Sequence, residues 1–232
     1  LPHFKRIEGN ERINNEFHGI NGPLKVSDPK YISKGAYLYI KTLQEMGIKY
    51  TDDFNDGNAK GVGFMQLTTD GNKRCSAVDA FIKPIKDNKK LKIKTKSTVV
   101  KLLYDNKKVI GVEYLEKNTI KKVYCNNDVI LTAGSFQTPK ILMLSGIGPE
   151  NELKKHGIKT LNKLLGVGEN LQDHFEVPVV ATTYPGYGYY KQDKGIKKYI
   201  NGLQYLLFKS GPVMSNGCES VAYYNPINYN DS

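Results

Sequence analysis

A chain of 232 residues with 39% hydrophobic and 25% charged residues is long enough for one large domain or parts of two, and too apolar to be disordered. Its formal net charge is +11, yet the excess is almost all lysine, the arginines being Arg6, Arg12 and Arg74. Specific recognition of phosphate and bases leans on arginine's planar fork, so no nucleic-acid partner is expected. In chain order, the stretch to about residue 29 is rich in Gly, Asn and Pro and reads as loop. A helix is expected next, with Asp28 as N-cap and Pro29 at its first position. Ile32, Ala36, Tyr39, Ile40, Leu43 and Met46 recur at helical spacing before Gly47 stops it. Residues 51–75 return to loop, and a short helix around Ser76–Ile82 ends at Pro84.

The period then changes. Leu91–Thr95 and Thr98–Tyr104 are β-rich, Asp105-Asn106-Lys107-Lys108 is a turn, and Val109–Leu115 and Thr119–Tyr124 complete a meander. The lysines of Leu91–Lys96 alternate with Leu91, Ile93 and Thr95, as on a solvated sheet face. Val129–Thr132 is apolar enough for a strand buried on both faces. It runs through Ala133-Gly134-Ser135 into a helix expected to open at Thr138-Pro139 and to end at Gly146. A short helix covers Asn151–His156, Gly166–His174 is loop, Phe175–Thr183 reads as a strand, and Ile196–Phe208 as an amphipathic helix closed by Gly211-Pro212. This order suggests an α/β unit interleaved with an α+β unit.

Several function classes drop out. Cys75, Cys125 and Cys218 are far apart and form no CxxC pair, so three reduced thiols are expected. His3, His18, His156 and His174 have neither HxH nor HExxH spacing, so no metal site is expected. No apolar run approaches the roughly 20 residues of a membrane-spanning helix. Leu1-Pro2-His3-Phe4-Lys5 is neither an initiator start nor a secretory signal, and the chain is expected to begin inside a longer protein, cytoplasmic or membrane-peripheral.

Four segments are more specific. They are Gly134-Ser135-Phe136-Gln137-Thr138-Pro139 continuing to Ser145-Gly146-Ile147-Gly148, then Gly166-Val167-Gly168-Glu169-Asn170-Leu171-Gln172-Asp173-His174. Upstream lie Phe17-His18-Gly19-Ile20-Asn21-Gly22-Pro23-Leu24 and Gly71-Asn72-Lys73-Arg74-Cys75-Ser76-Ala77. With the strand Gly111-Val112-Glu113-Tyr114, this set resembles the glucose–methanol–choline (GMC) oxidoreductases over residues 1–225, and within them the choline and aliphatic alcohol dehydrogenases.

The resemblance implies a partial FAD-binding, Rossmann-like α/β domain interleaved with a partial α+β substrate-binding domain. Residues 1–60 would belong to the substrate or cap region, 61–173 to the FAD domain with its meander, and 174–232 to the substrate domain. It implies FAD as cofactor and oxidation of a primary alcohol by hydride transfer to flavin. The electron acceptor and a homo-oligomeric state stay open. Val99 matches a valine whose backbone contacts the adenine, Ala133 and Gly134 the small pair beside the adenosine, and Glu176 an acid facing a trimethylammonium group. No catalytic residue is assigned within the chain, and His174 is expected to fix its loop. Gly61-Val62-Gly63 and Gly166-Val167-Gly168 lack the third glycine of a dinucleotide fingerprint, so the chain alone is expected to be inactive and to hold FAD weakly. Tyr184, Tyr187, Tyr189 and Tyr190, with Gly186 and Gly188 between them, suit a surface lid better than a cationic cage. The alternatives are a hydroxynitrile lyase of the same family and a non-catalytic remnant.

Overall fold

The structure is a computed structural model and describes residues 1–184 and 186–225. The first half runs α1 (Pro2–Ile7), β1 (Glu8–Asn10), β2 (Leu24–Val26), α2 (Lys34–Glu45), β3 (Gly61–Phe64), β4 (Thr69–Asp70) and β5 (Lys73–Arg74). One π turn and one 3-10 turn over residues 78–85 precede β6 (Ser97–Asp105), β7 (Lys108–Glu116) and β8 (Thr119–Tyr124). Then come α3 (Gly134–Leu144), β9 (Ile147–Gly148), α4 (Glu150–Lys155), β10 (Asn162–Lys163), α5 (Gly195–Phe208) and β11 (Ser220–Tyr223). Two compact units result: Leu1–Leu91 with Val180–Ser232, and Lys92–Val179 between them in sequence. Their boundaries fall at residues 91/92 and 179/180.

The first unit has its core where α2 covers the antiparallel pair β3–β11. Ile40, Leu43, Ile48 and Val62 are buried together, with Phe64 and Ala222 against them. The helix starts later than its sequence suggested. Ser33 is the N-cap, its Oγ accepting the Ala36 N–H at 3.2 Å. Asp28 cannot cap, because its carboxylate is held by Gln66 and Arg12, each at 2.8 Å. Buried Glu219 accepts from the Ser33 N–H at 2.7 Å and from the hydroxyls of Tyr189 and Ser215, joining the start of α2 to the segment before β11.

The second unit is built on the antiparallel meander β6-β7-β8. Its turns follow residue chemistry. Asn106 takes φ +54° in the first, and Lys117 and Asn118 take +48° and +62° in the second, the positive pair that a tight hairpin needs. The expected strand at Leu91–Thr95 is absent, and Lys96 at φ +53° breaks the extended path before β6 begins. Two further expected strands are also absent. Val129–Thr132 and Phe175–Thr183 form no ladder with any described residue, and Ile130 and Phe175 are 83% and 93% exposed. A strand exists only through its neighbours, and a suitable sequence does not supply them. On α5 the expected apolar residues Ile196, Ile200, Leu203 and Leu207 lie outward, while Asn201 is buried and donates to the Gln192 carbonyl at 2.9 Å.

Candidate functional site

In the second unit, the turn into α3 is made by Gly134 at φ +85°, a conformation that costs other residues roughly 1–2 kcal/mol. The helix therefore opens there, four residues ahead of Thr138, and Pro139 lies inside it. Ala133 caps α3 without a side-chain bond, and its own N–H donates to Thr138 Oγ1 at 3.1 Å. The first turn carries no acidic residue, and no atom stands within 4 Å of where a Gly134 Cβ would be. The head of α3 thus offers bare N–H groups to open space, which fits a large ligand with a polar or anionic portion.

The other end of α3 is bolted down. Buried Ser145 donates to the Ile141 carbonyl and accepts the Leu102 N–H of β6 at 2.8 Å. Gly146 follows at φ +81°, and its carbonyl accepts the Leu161 and Asn162 N–H groups at 2.8 and 3.1 Å. Ile147-Gly148 then pairs in parallel with Asn162-Lys163. The Ser-Gly-Ile-Gly ending is thereby a packing device tying helix, meander and short sheet together. Between the two quoted motifs lies a cavity of about 830 Å³, walled by Ser135, Phe136 and Met143 on the α3 side and by Glu169, Leu171 and Gln172 opposite.

The individual candidates are placed as follows. Val99 is half-buried in β6 beside a bulge, paired with Tyr114, while the ladder resumes at Lys101 with Glu113. Ala133 and Gly134 are exposed at the head of α3, next in sequence to the cavity's Ser135. Glu176 is exposed in irregular chain and does not line that cavity. His174 is exposed two residues before it, its N–H on Asp173 Oδ1 at 2.8 Å. Of the four tyrosines, Tyr189 bonds Glu219, whereas Tyr184 and Tyr190 are exposed.

A second constellation, in the first unit, went unnoticed in the sequence. His18 is only 5% exposed and stands between two carboxylates. Nδ1 bonds Glu8 Oε1 at 2.8 Å, and Nε2 lies 3.0 Å from Asp53 Oδ2. The second contact makes no hydrogen bond. Glu8 also accepts from Asn10 Nδ2 at 3.0 Å and the Gly19 N–H at 3.2 Å. Burial by itself would push the Glu8 carboxyl up, but the bonds from Asn10, His18 and Gly19 and the charge of His18 hold it below its ordinary 4.5. Gly19 is required because a Cβ there would stand 2.0 Å from the Lys5 carbonyl oxygen. Glu8 and His18 form the polar floor of a cavity of about 600 Å³ whose walls include Phe4, Ile7, Phe17 and Phe54. The only signal for this cluster was the His-Gly pair at 18–19. Its carboxylates come from positions 10 residues upstream and 35 downstream, which spacing does not connect. Among the described residues no group of His, Cys, Asp and Glu is arranged to hold a metal ion, and no helix is long and apolar enough to cross a membrane.

The chain belongs to the GMC oxidoreductase family, whose model matches residues 1–176. It is 34% identical over 223 residues to oxygen-dependent choline dehydrogenase of Brucella suis, covering 96% of this chain and 40% of that protein. It is also 34% identical over 227 residues to alcohol dehydrogenase [acceptor] of Pseudomonas putida, covering 95% and 41%. An FAD-dependent oxidoreductase from Chaetomium thermophilum superposes with a TM-score of 0.85 at 25% identity, over 97% of this chain and 42% of that one. The chain thus spans about 40% of the length of the curated relatives it matches.

Proposed function

We propose that this chain forms the middle of an FAD-dependent oxidoreductase that oxidises a primary alcohol, choline-like or aliphatic. The observation that carries this is the cavity between the two family motifs at the head of α3, in a chain 34% identical to choline and alcohol dehydrogenases. The chemistry a bound flavin supplies is two-electron oxidation, taking a hydride from the alcohol carbon. Residues of this chain bind and frame. The N–H groups of the first turn of α3 receive a polar part of the cofactor on its adenosine side, and Gly134 keeps that approach clear. The Val99 backbone contributes to the same side. Phe136 and Leu171 give that cavity apolar walls. Glu176 supplies the negative charge that would favour a quaternary ammonium alcohol. The chain assigns no residue to removal of the hydroxyl proton. The electron acceptor is left open, as is oligomeric state.

The test is anaerobic addition of choline, or of a neutral primary alcohol, to the natural flavin-loaded protein while the flavin's visible absorbance is followed. Bleaching by at least one alcohol is expected, and no bleaching by any of them overturns the proposal. The 232-residue chain alone is expected to purify without stoichiometric flavin.

A further inference from the structure

The helix α5 faces the wrong way for a helix packed by its apolar side. Ile196, Tyr199, Ile200, Leu203, Leu206 and Leu207 fall three and four residues apart and so line one side of it. That side points outward, the six being 56–75% exposed. The opposite side carries buried Asn201, which donates to the Gln192 carbonyl at 2.9 Å and to the Gln192 side-chain oxygen at 3.1 Å. Half-buried Gln204 and Tyr205 share that inner side. The helix is thus seated on its own unit through polar groups and presents a continuous apolar stripe, the mark of an interaction surface.

The charge around the stripe has one sign. Lys191, Lys194, Lys197, Lys198 and Lys209 are all exposed, and Asp193 is the one acid between residues 181 and 218. Lys197 and Lys198 leave the helix on its two sides, while Lys194 and Lys209 are its end caps. In α2 and α4 lysines meet carboxylates, Lys41 with Glu45 and Lys154 with Glu150. Among the described residues none of the five lysines around α5 forms an ion pair, although Lys191 and Lys209 rest over the rings of Tyr190 and Tyr205.

This pairing of features selects the occupant. Protein interfaces are poor in lysine, which loses its hydration and side-chain freedom there. An anionic lipid surface accepts both features together. The stripe enters the boundary of the acyl chains, and the lysine stems reach back so that their ammonium groups meet the phosphates. Tyr199, an apolar ring with a hydroxyl, suits the headgroup level.

We propose that α5 is an interfacial helix that lays this protein on an anionic membrane surface. Its 14 residues lie in the membrane plane and are too few to span it. The proposal does not rest on the alcohol chemistry, and its test reads no turnover.

The experiment is flotation of the natural flavin-loaded protein with vesicles of phosphatidylcholine, with and without added phosphatidylserine. Binding to the mixed vesicles should exceed binding to the neutral ones by roughly tenfold or more and weaken as salt is raised. Lys197→Gln with Lys198→Gln should weaken it about 25-fold, at about fivefold per lysine. Leu203→Ser with Leu207→Ser should weaken it by roughly tenfold or more. All four side chains are exposed, so both pairs should leave the fold intact, which circular dichroism checks. Failure of the unsubstituted protein to float with either vesicle overturns the proposal and needs no variant; the stripe then belongs to another part of the natural protein or to a second copy. Equal binding to both vesicles also overturns it, as does undiminished binding in either pair of variants.

Discussion

His18 Nδ1 and Glu8 Oε1 are 2.8 Å apart although the histidine is almost wholly buried and the carboxylate largely so. Such a pair is weak evidence of net stabilisation, but removing one partner strands the other charge in a low-dielectric site. Glu8→Gln should therefore cost about 3 kcal/mol, read as a lowered midpoint in urea unfolding of the first unit. The folded state favours the charged form of Glu8, holding it below 4.5. Its contribution is thus present above that value and lost as pH falls through and below it. Acid titration of the unfolding midpoint should show this loss in the wild type and a smaller one in Glu8→Gln. Identical acid profiles would argue against the pair.

Ser145 sits at the far end of α3 and accepts the Leu102 N–H of β6 inside the second unit. Ser145→Ala leaves that buried donor without its partner. A loss of about 1–3 kcal/mol is expected, with faster exchange at the Leu102 amide as the local signature. An unchanged Leu102 amide would show that the bond does not anchor the meander.

Gly134→Ala meets no atom, since open space lies where the new methyl would be. The cost is conformational, about 1–2 kcal/mol for an L residue at positive φ. The natural flavin-loaded protein carrying this change should melt lower and lose flavin more readily. Full flavin retention after dialysis would remove Gly134 from the cofactor approach.

Glu176 is exposed, so its leverage on a cation is limited by water and salt. Under the proposed alcohol oxidation, Glu176→Gln in the natural protein should raise KM for choline by up to roughly fivefold and leave KM for an uncharged primary alcohol unchanged. Equal changes for both substrates would end the assignment.

Local chemistry made part of this protein legible from its sequence. The meander is one such part, because β-branched runs and Asn-bearing turns are nearest-neighbour matters; residues 97–124 fold as their pattern suggests. The span of α5 was equally plain, as was the lineage carried by the Ser145-Gly146-Ile147-Gly148 ending and the Asn170-Leu171-Gln172 loop. Tertiary structure decided the rest. Whether Val129–Thr132 becomes a strand depends on neighbours that no local pattern contains, and here no described residue pairs with it. Asp28 looked like a helix cap, but its carboxylate is taken by Gln66, 38 residues away. His18 looked like one of four scattered histidines until folding brought Glu8 and Asp53 to its two nitrogens. Residue type and spacing set what a side chain can bond, whereas long-range chain closure selects which partner it meets.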